Sequence, residues 1–269
     1  MTDRTGGERL PRHGDDYHRV HLTRCKSTNT ILKTHFRKWL PRFPLLLTAD
    51  EQRHGRGRHD RSWYSARGLG VYASFGFVFA PETRLDLLPL TTGLVVAEAL
   101  STRIQNGIRL KWPNDVLVHG AKISGILIEN IVEGRWAVSI CGIGINVNHS
   151  ADDLAVMPRH AATSIKMSTG MNTPTAEVVR DLARLYPRWL DLLQSGAAAA
   201  IIERVNALSY FRPGDPVRLQ LDDRRIQGLY QGIDGNGGLC LLHEDGSTRT
   251  YINGEILRPL QSSSNTFNQ

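Results

Sequence analysis

The chain has 269 residues, of which 41% are hydrophobic and 22% are charged. These values are typical of folded globular proteins and exclude a disordered chain, a collagen and a coiled coil. The 33 basic and 26 acidic residues give a net charge of +7, which favours an anionic partner such as a nucleic acid or a phosphate-bearing ligand.

The cysteine pattern and the lack of long apolar runs bear on the compartment. Three cysteines lie far apart in the chain and form no Cys-x-x-Cys pair, which argues against a disulfide scaffold and a zinc site. The N-terminal residues lack the apolar core of a signal peptide. No apolar run reaches the roughly 18 to 20 residues of a membrane span. We therefore predict a cytoplasmic protein that does not contact a membrane.

Composition along the chain predicts two domains between two tails. Residues 1–17 are polar and without periodicity, so we expect a flexible tail, with no room ahead of the core for a helix-turn-helix module. Residues 18–209 form the predicted main domain, residues 210–261 a small C-terminal domain, and residues 262–269 a second flexible tail.

The first predicted elements surround a basic loop. Ser27 or Thr28 can cap a helix that ends near Pro41. A short buried strand at residues 45–49 follows, and residues 71–79 alternate as a second strand should. The predicted strands flank a Gly/Arg loop at residues 51–70.

The middle of the chain indicates a mixed sheet built mainly from hairpins. A helix with one core-facing side is predicted within residues 86–105. Another helix begins near Thr173, as its cap, with Pro174 at the first helical position. Between these helices lie four strand-like runs separated by turns, at residues 108–112, 116–118, 123–132 and 136–147.

The C-terminal domain has a different pattern. Short alternating strands are predicted at residues 217–221, 225–230, 239–243 and 248–252, separated by Asp-Asp, Gly-Asn-Gly-Gly and Glu-Asp-Gly turns. This pattern is typical of a small antiparallel barrel. The predicted fold class is α+β: a mixed sheet with helices packed on it, followed by a small C-terminal β-barrel.

The basic loop is the first candidate site. Gln52 is followed by Gly55-Arg56-Gly57-Arg58 and then by Trp63. The loop could be a solvated basic segment, a nucleic-acid contact or a ligand loop. Its position between two buried strands favours the ligand loop, because glycines let the backbone approach a ligand and arginines grip phosphate oxygens at two points.

A second candidate site lies around two of the six lysines. Lys111-Trp112-Pro113-Asn114-Asp115 precedes Lys122-x-x-Gly125-Ile126-Leu127-x-Glu129. Either lysine could be an exposed edge charge. Lys122 instead precedes an apolar strand in which Gly125 leaves room for a ligand, and a cation held there can neutralise a reacting carboxylate and phosphate. Asp115 and Asn114 could bind a metal, assist an incoming amine or only cap a turn, and Trp112 could be a core residue or a stacking platform.

Gly142-Ile143-Gly144-Ile145-Asn146 is the third candidate. It lacks the third glycine of a dinucleotide fingerprint and lies within a strand, so a Rossmann site is not indicated. Either another backbone or a flat ligand could lie against the glycines, with Asn146 pointing at the ligand.

These motifs, together with Ser27-Thr28-Asn29, resemble in order and spacing the motif series of the bacterial biotin protein ligases, and Arg212-Pro213-Gly214-Asp215 and Gly254-Glu255-Ile256 resemble that family's terminal SH3-like module. The resemblance covers about residues 20–260. Asp60 and Ala66-Arg67 depart from the family's pattern. The matching form has no N-terminal DNA-binding domain, so we expect no DNA binding and no repressor function.

The resemblance implies a reaction in two steps. Biotin and ATP, with Mg²⁺, give biotinyl-5′-AMP and pyrophosphate, and the acyl group then passes to a lysine of the biotin carboxyl carrier domain of acetyl-CoA carboxylase. A homodimer through a sheet edge is a family possibility. Two alternatives are a lipoate or octanoate transferase of the same superfamily and a nucleic-acid-binding module that uses the basic loop.

The resemblance also implies roles for particular residues. Lys122, Arg58 and Asp115 would be catalytic, and Asp115 is also the candidate metal ligand. The implied biotin-binding residues are Ser27, Thr28, Asn29, Gln52, Arg56, Gly57, Arg58, Lys122, Gly125 and Leu127. The implied ATP and adenylate contacts are Arg56, Arg58, Trp63, Lys111, Asn114, Lys122 and Asn146.

Overall fold

A computed structural model describes residues 16–80, 82–133, 136–155, 161–222 and 224–257. Within these ranges the chain forms a seven-stranded mixed sheet with helices on both faces and a five-stranded antiparallel sheet near the C-terminus. The predicted α+β fold is therefore confirmed. The predicted tail at residues 262–269 and nearly all of the tail at residues 1–17 lie outside the described residues.

The large sheet has the order β1-β2-β3-β7-β6-β5-β4. Only β1 and β2 pair in parallel, and the other neighbours are antiparallel. The predicted hairpins are confirmed, whereas β1 was not predicted. The strands are β1 (His18–Leu22), β2 (Leu45–Ala49), β3 (Gly70–Phe79), β4 (Ile108–Lys111), β5 (Asp115–Val118), β6 (Ala121–Glu133) and β7 (Trp136–Asn146).

The helices divide between the two faces of this sheet. They are α1 (Thr28–Trp39), α2 (Leu88–Ser101), α3 (Ala151–Ala155), α4 (Ile165–Thr169), α5 (Thr175–Gln194) and α6 (Ala198–Ala207). Leu45 and Leu47 of β2 pack in the cluster with Leu32 of α1, while Leu46 between them packs in the cluster that holds α2 and α5. This alternation follows from the two-residue period of a strand.

Ser27 caps α1 as predicted, because its side chain accepts a hydrogen bond from Thr30 N. Two other helix predictions were wrong. Helix α2 is buried around nearly its whole circumference, because α5 packs against the side that the sheet leaves open. Helix α5 has Pro174, not Thr173, as its N-cap residue.

The C-terminal sheet has the order β11-β10-β9-β8-β12, with strands β8 (Pro216–Gln220), β9 (Arg225–Ile233), β10 (Leu239–Leu242), β11 (Thr248–Tyr251) and β12 (Glu255–Leu257). Strand β12 was not predicted as a strand. Its inner residue Ile256 is fully buried opposite Leu219 of β8, which a short run of three residues does not reveal by its pattern.

Tyr17 corrects a predicted boundary, and Trp112 shows how the two domains are joined. Tyr17, assigned to the N-terminal tail, is buried and packs edge-on against Phe75 and Phe77. Trp112 is a core residue, and its indole N–H donates to the carbonyl of Gly237 at 3.0 Å. Trp112 therefore joins the large sheet to the C-terminal domain.

Candidate active site

A cleft of about 1200 Å³ opens on the α1 side of the large sheet. It lies beyond the N-terminus of α1, where the glycines of β6 and β7 leave the sheet surface uncovered. The loop at residues 51–67 forms one wall, and the segment at residues 111–115 forms another. The structure thus brings the three motif regions to one place.

All but one of the predicted site residues line this cleft. They are Ser27, Thr28, Asn29, Gln52, Arg56, Gly57, Arg58, Trp63, Lys111, Asn114, Asp115, Lys122, Gly125 and Leu127. Asn146 does not line it: it is buried, and its side-chain amide donates to the carbonyl of Thr163 at 3.0 Å. The amide therefore fixes the segment after β7, and the predicted contact of Asn146 with ATP has no support in this geometry.

One end of the cleft is lined with polar groups. Thr28 N donates to Gln52 Oε1 at 2.8 Å, and Gln52 Nε2 donates to Ser65 Oγ at 3.0 Å. Thr28 and Asn29 are almost completely buried at the first turn of α1. Buried polar groups with fixed partners are suited to a ligand that needs directed hydrogen bonds.

Asn29 is held from three sides. Its Nδ2 donates to the carbonyl of Leu127 and to Glu129 Oε2, each at 3.1 Å. Its Oδ1 accepts from Ser74 Oγ at 2.6 Å. A Cβ atom on Gly142 would collide with this amide, so only glycine fits there.

Ser74 and Glu129 also belong to this site, although no role was predicted for either residue. Ser74 is a buried hydroxyl in the otherwise apolar strand β3, which was a usable signal. Glu129 was part of the recognised motif, but its partners come from α1 and the loop, far away in the chain.

Trp63 lies over the glycines of the sheet. A Cβ atom on Gly144 would collide with its indole ring, and one on Gly125 would lie 2.9 Å from it. Lys122 Nζ is 5.5 Å from the centre of the ring, within the range of a cation–π contact. The indole N–H is buried against the sheet and has no acceptor among the described residues.

Lys122 is paired with Asp115 in this structure. Nζ lies 2.5 Å from Asp115 Oδ1, and each side chain is only about one-fifth exposed or less. The backbone of Lys122 is also held, because its N–H donates to Ala161 and its carbonyl accepts from Thr163 N. The cation therefore projects from a fixed position beside the aromatic ring.

Arg58 links the loop to two other parts of the cleft. Its guanidinium donates to Asn114 Oδ1 at 3.3 Å and to the carbonyl of Gly254 at 3.1 Å. Burial lowers the pKa of Arg58, an effect that nearby Asp115 and Glu255 oppose. An arginine nevertheless stays protonated, so Arg58 places a partly desolvated positive charge in the cleft.

The C-terminal domain closes one side of the site. Arg61 forms a two-point ion pair with Glu255, and the hydrogen bonds that its guanidinium donates to this carboxylate raise the pKa of Arg61. Between the two arginines, His59 and Asp60 have positive φ angles of 52° and 54°. This backbone reversal lets both Arg58 and Arg61 reach residues at the start of β12.

Two family models match the chain. Residues 22–146 match the biotin/lipoate A/B protein ligase family, and residues 214–258 match the biotin protein ligase C-terminal domain. A biotin–[acetyl-CoA-carboxylase] ligase of Paracoccus denitrificans is 31% identical over 202 residues, which cover 72% of this chain and 82% of that protein. This chain belongs to the biotin protein ligase family.

A solved structure of another biotin protein ligase supports this family assignment. The Aquifex aeolicus biotin protein ligase in complex with biotin and ATP has a TM-score of 0.72 and 30% identity, with 88% of this chain and 97% of that chain covered. The bifunctional ligase/repressor of Escherichia coli is 32% identical over 77% of this chain, and the match spans 64% of that relative's length.

In the part that the structure describes, no helix is long and apolar enough to cross a membrane.

Proposed function

We propose that this chain activates biotin with ATP and transfers the biotinyl group to a lysine of a biotin carboxyl carrier domain. The observation that carries the proposal is one cleft with two chemically different ends. Thr28, Asn29 and Gln52 present directed polar groups at one end, and Arg58 and Lys122 place positive charge at the other. A polar head group joined to a carboxylate that reacts with a phosphate needs this combination.

In the first step, a carboxylate oxygen of biotin attacks the α-phosphorus of ATP. The bond between the α-phosphorus and the bridging oxygen breaks, and pyrophosphate leaves with that oxygen. Lys122 would exchange its contact with Asp115 for the carboxylate and the α-phosphate, whose negative charges repel each other until a cation is placed between them. Arg58 would hold the phosphate from the loop.

In the second step, the ε-amine of the acceptor lysine attacks the acyl carbon of the adenylate, and AMP leaves. The amine must lose a proton as the amide forms. Asp115, released from Lys122, is the carboxylate beside the reacting atoms that can accept this proton.

The residues also fit the implied Mg²⁺ if the ion arrives with ATP. No group of three or more metal-ligating side chains occurs among the described residues, so these residues offer no metal cage without a further ligand such as ATP. Asp115 provides one carboxylate at the cationic end of the cleft. Mg²⁺ commonly binds through one or two carboxylates together with substrate phosphates, where it neutralises phosphate charge.

A homodimer, which the resemblance gives as a family possibility, would use a free edge of the sheet. Strands β1 and β4 are the edge strands, and the backbone of Leu110 in β4 already bonds to Leu208 and Tyr210. We therefore favour β1 as the edge that pairs with a second copy. Light scattering after size-exclusion chromatography would test whether the dimer forms. The cytoplasmic location and the lack of DNA binding stay predictions.

The deciding experiment supplies the purified chain with ATP, Mg²⁺ and one of three acids: biotin, lipoate or octanoate. Pyrophosphate release reports activation, and mass spectrometry of an added carrier domain reports transfer. We expect both signals with biotin, their loss in Lys122→Ala and their retention in the control Lys38→Ala, an exposed lysine on α1. Activity with lipoate or octanoate but not biotin would overturn the proposed substrate.

A further inference from the structure

Glu129 is an acidic side chain at the polar end of the cleft with no assigned role. It lies on β6, on the same side of the strand as Gly125 and Leu127, which line the cleft. Its side chain is only 12% exposed. A carboxylate this well buried requires partners, because an unpaired buried charge is strongly destabilising.

Three side chains from two separate parts of the chain meet this carboxylate. From α1, Asn29 Nδ2 donates to Oε2 at 3.1 Å and Lys33 Nζ to Oε1 at 2.8 Å. These two residues are one helical turn apart and so share a face of α1. From the loop, Arg56 Nη1 lies 3.8 Å from Oε1. Glu129 therefore joins the helix that forms the polar end to the loop that covers it.

The hydrogen bond to Glu129 is one of three that fix the orientation of the Asn29 amide. Its nitrogen has two acceptors, Glu129 and the carbonyl of Leu127, and its oxygen accepts from Ser74. Without the carboxylate the amide loses one of the two groups that fix its nitrogen. The orientation of Asn29 at the polar end of the cleft thus depends partly on Glu129.

The contact with Arg56 affects the loop. Arg56 has a second carboxylate nearby, Asp60 Oδ1 at 3.4 Å, but the Asp60 side chain is 92% exposed. Exposed ion pairs are weak because water and salt screen them. Glu129 is the better shielded of the two partners and is fixed in a sheet, so it holds Arg56 near α1.

We propose that Glu129 is a positioning residue for biotin capture, which fixes the Asn29 amide and retains Arg56 of the loop against α1. This inference rests on the proposed function. It places Glu129 outside the reacting groups, so its removal weakens the capture of biotin more than it slows the chemical step.

The test compares Glu129→Gln with Glu129→Asp in pyrophosphate release at varied biotin concentration. Glutamine keeps the size of the side chain but removes its charge. We expect the KM for biotin to rise about tenfold or more, as for the loss of a hydrogen bond to a charged group, with kcat changed less than about threefold. Aspartate keeps the charge and should recover part of the affinity.

The matched control is Asp181→Asn on α5. Asp181 is also a poorly exposed carboxylate, 2.6 Å from Arg103, but it does not line the cleft. This variant shows how the loss of a shielded ion pair outside the site affects stability and activity. Its KM for biotin should equal that of the wild type.

A double-mutant cycle with Arg56→Ala tests the link to the loop. If Glu129 acts partly through Arg56, the combined variant raises KM by less than the product of the single effects. A wild-type KM in Glu129→Gln would overturn the inference. So would a variant in which kcat and the melting temperature both fall while KM stays unchanged. If the wild type itself releases no pyrophosphate with biotin, the proposed function fails instead.

Discussion

Replacing Gly144 by alanine tests the placement of Trp63 over the sheet. The added methyl group would occupy the space of the indole ring, while the strand beneath is fixed by its pairing with Tyr72 and Gly125. The side chain of Trp63 can move more easily than a central strand. We therefore expect the ring to be displaced from the cleft and the fold to persist.

The size of the effect follows from the cost of overpacking. Forcing a methyl group into a filled site typically costs about 1–3 kcal/mol. If this cost destabilises the position of Trp63 over the sheet, the apparent affinity for biotin drops about fivefold to more than a hundredfold, since about 1.4 kcal/mol is a factor of ten. A cost borne by the sheet would appear as a lower melting temperature instead.

The assay is pyrophosphate release at varied biotin concentration, together with a thermal melt. Gly235→Ala is the matched control, because a Cβ atom there meets nothing within 4 Å and the backbone needs no positive φ. We expect a raised KM for Gly144→Ala and a wild-type KM for the control. A wild-type KM for Gly144→Ala would contradict this prediction, since the ring would then not occupy the space above Gly144.

Three further predictions concern Lys122, Arg58 and His149. Lys122→Ala should slow adenylate formation at least about a hundredfold, because the cation that contacts both the carboxylate and the α-phosphate is lost; pyrophosphate release measures this, and a rate near the wild-type value would contradict it. Arg58→Gly removes the bonds to Asn114 and Gly254, so the adenylate should escape and label lysines of bystander proteins, whereas retention of the intermediate would exclude this role. His149 is fully buried, neither ring nitrogen has a partner in the described ranges, and burial lowers its pKa below 6.5. Protonation then favours the unfolded chain, so the free energy of unfolding should fall as the pH drops from 7 to 5, and His149→Phe should fall less steeply; parallel pH profiles would count against this assignment.

Much of the fold follows from local patterns. Ser27 caps α1 because a short oxygen-bearing side chain before an apolar stripe satisfies a free N–H of the first turn. The alternation in β2 and β3 and the turns between β4 and β7 likewise depend on near neighbours. Predictions were wrong where burial came from distant elements, as for Tyr17 and for the second face of α2.

The residue types of the site and their order along the chain are visible in the sequence: the Gly/Arg loop, Lys122, and the glycines of β6 and β7. Which of these residues meet depends on the fold. Arg61 pairs with Glu255, which lies 194 positions further along the chain. Glu129 contacts both Asn29 and Arg56. Asn146 bonds to Thr163 and does not line the cleft. Such contacts depend on how strands pair and which face of each strand the helix covers, and no local pattern specifies that.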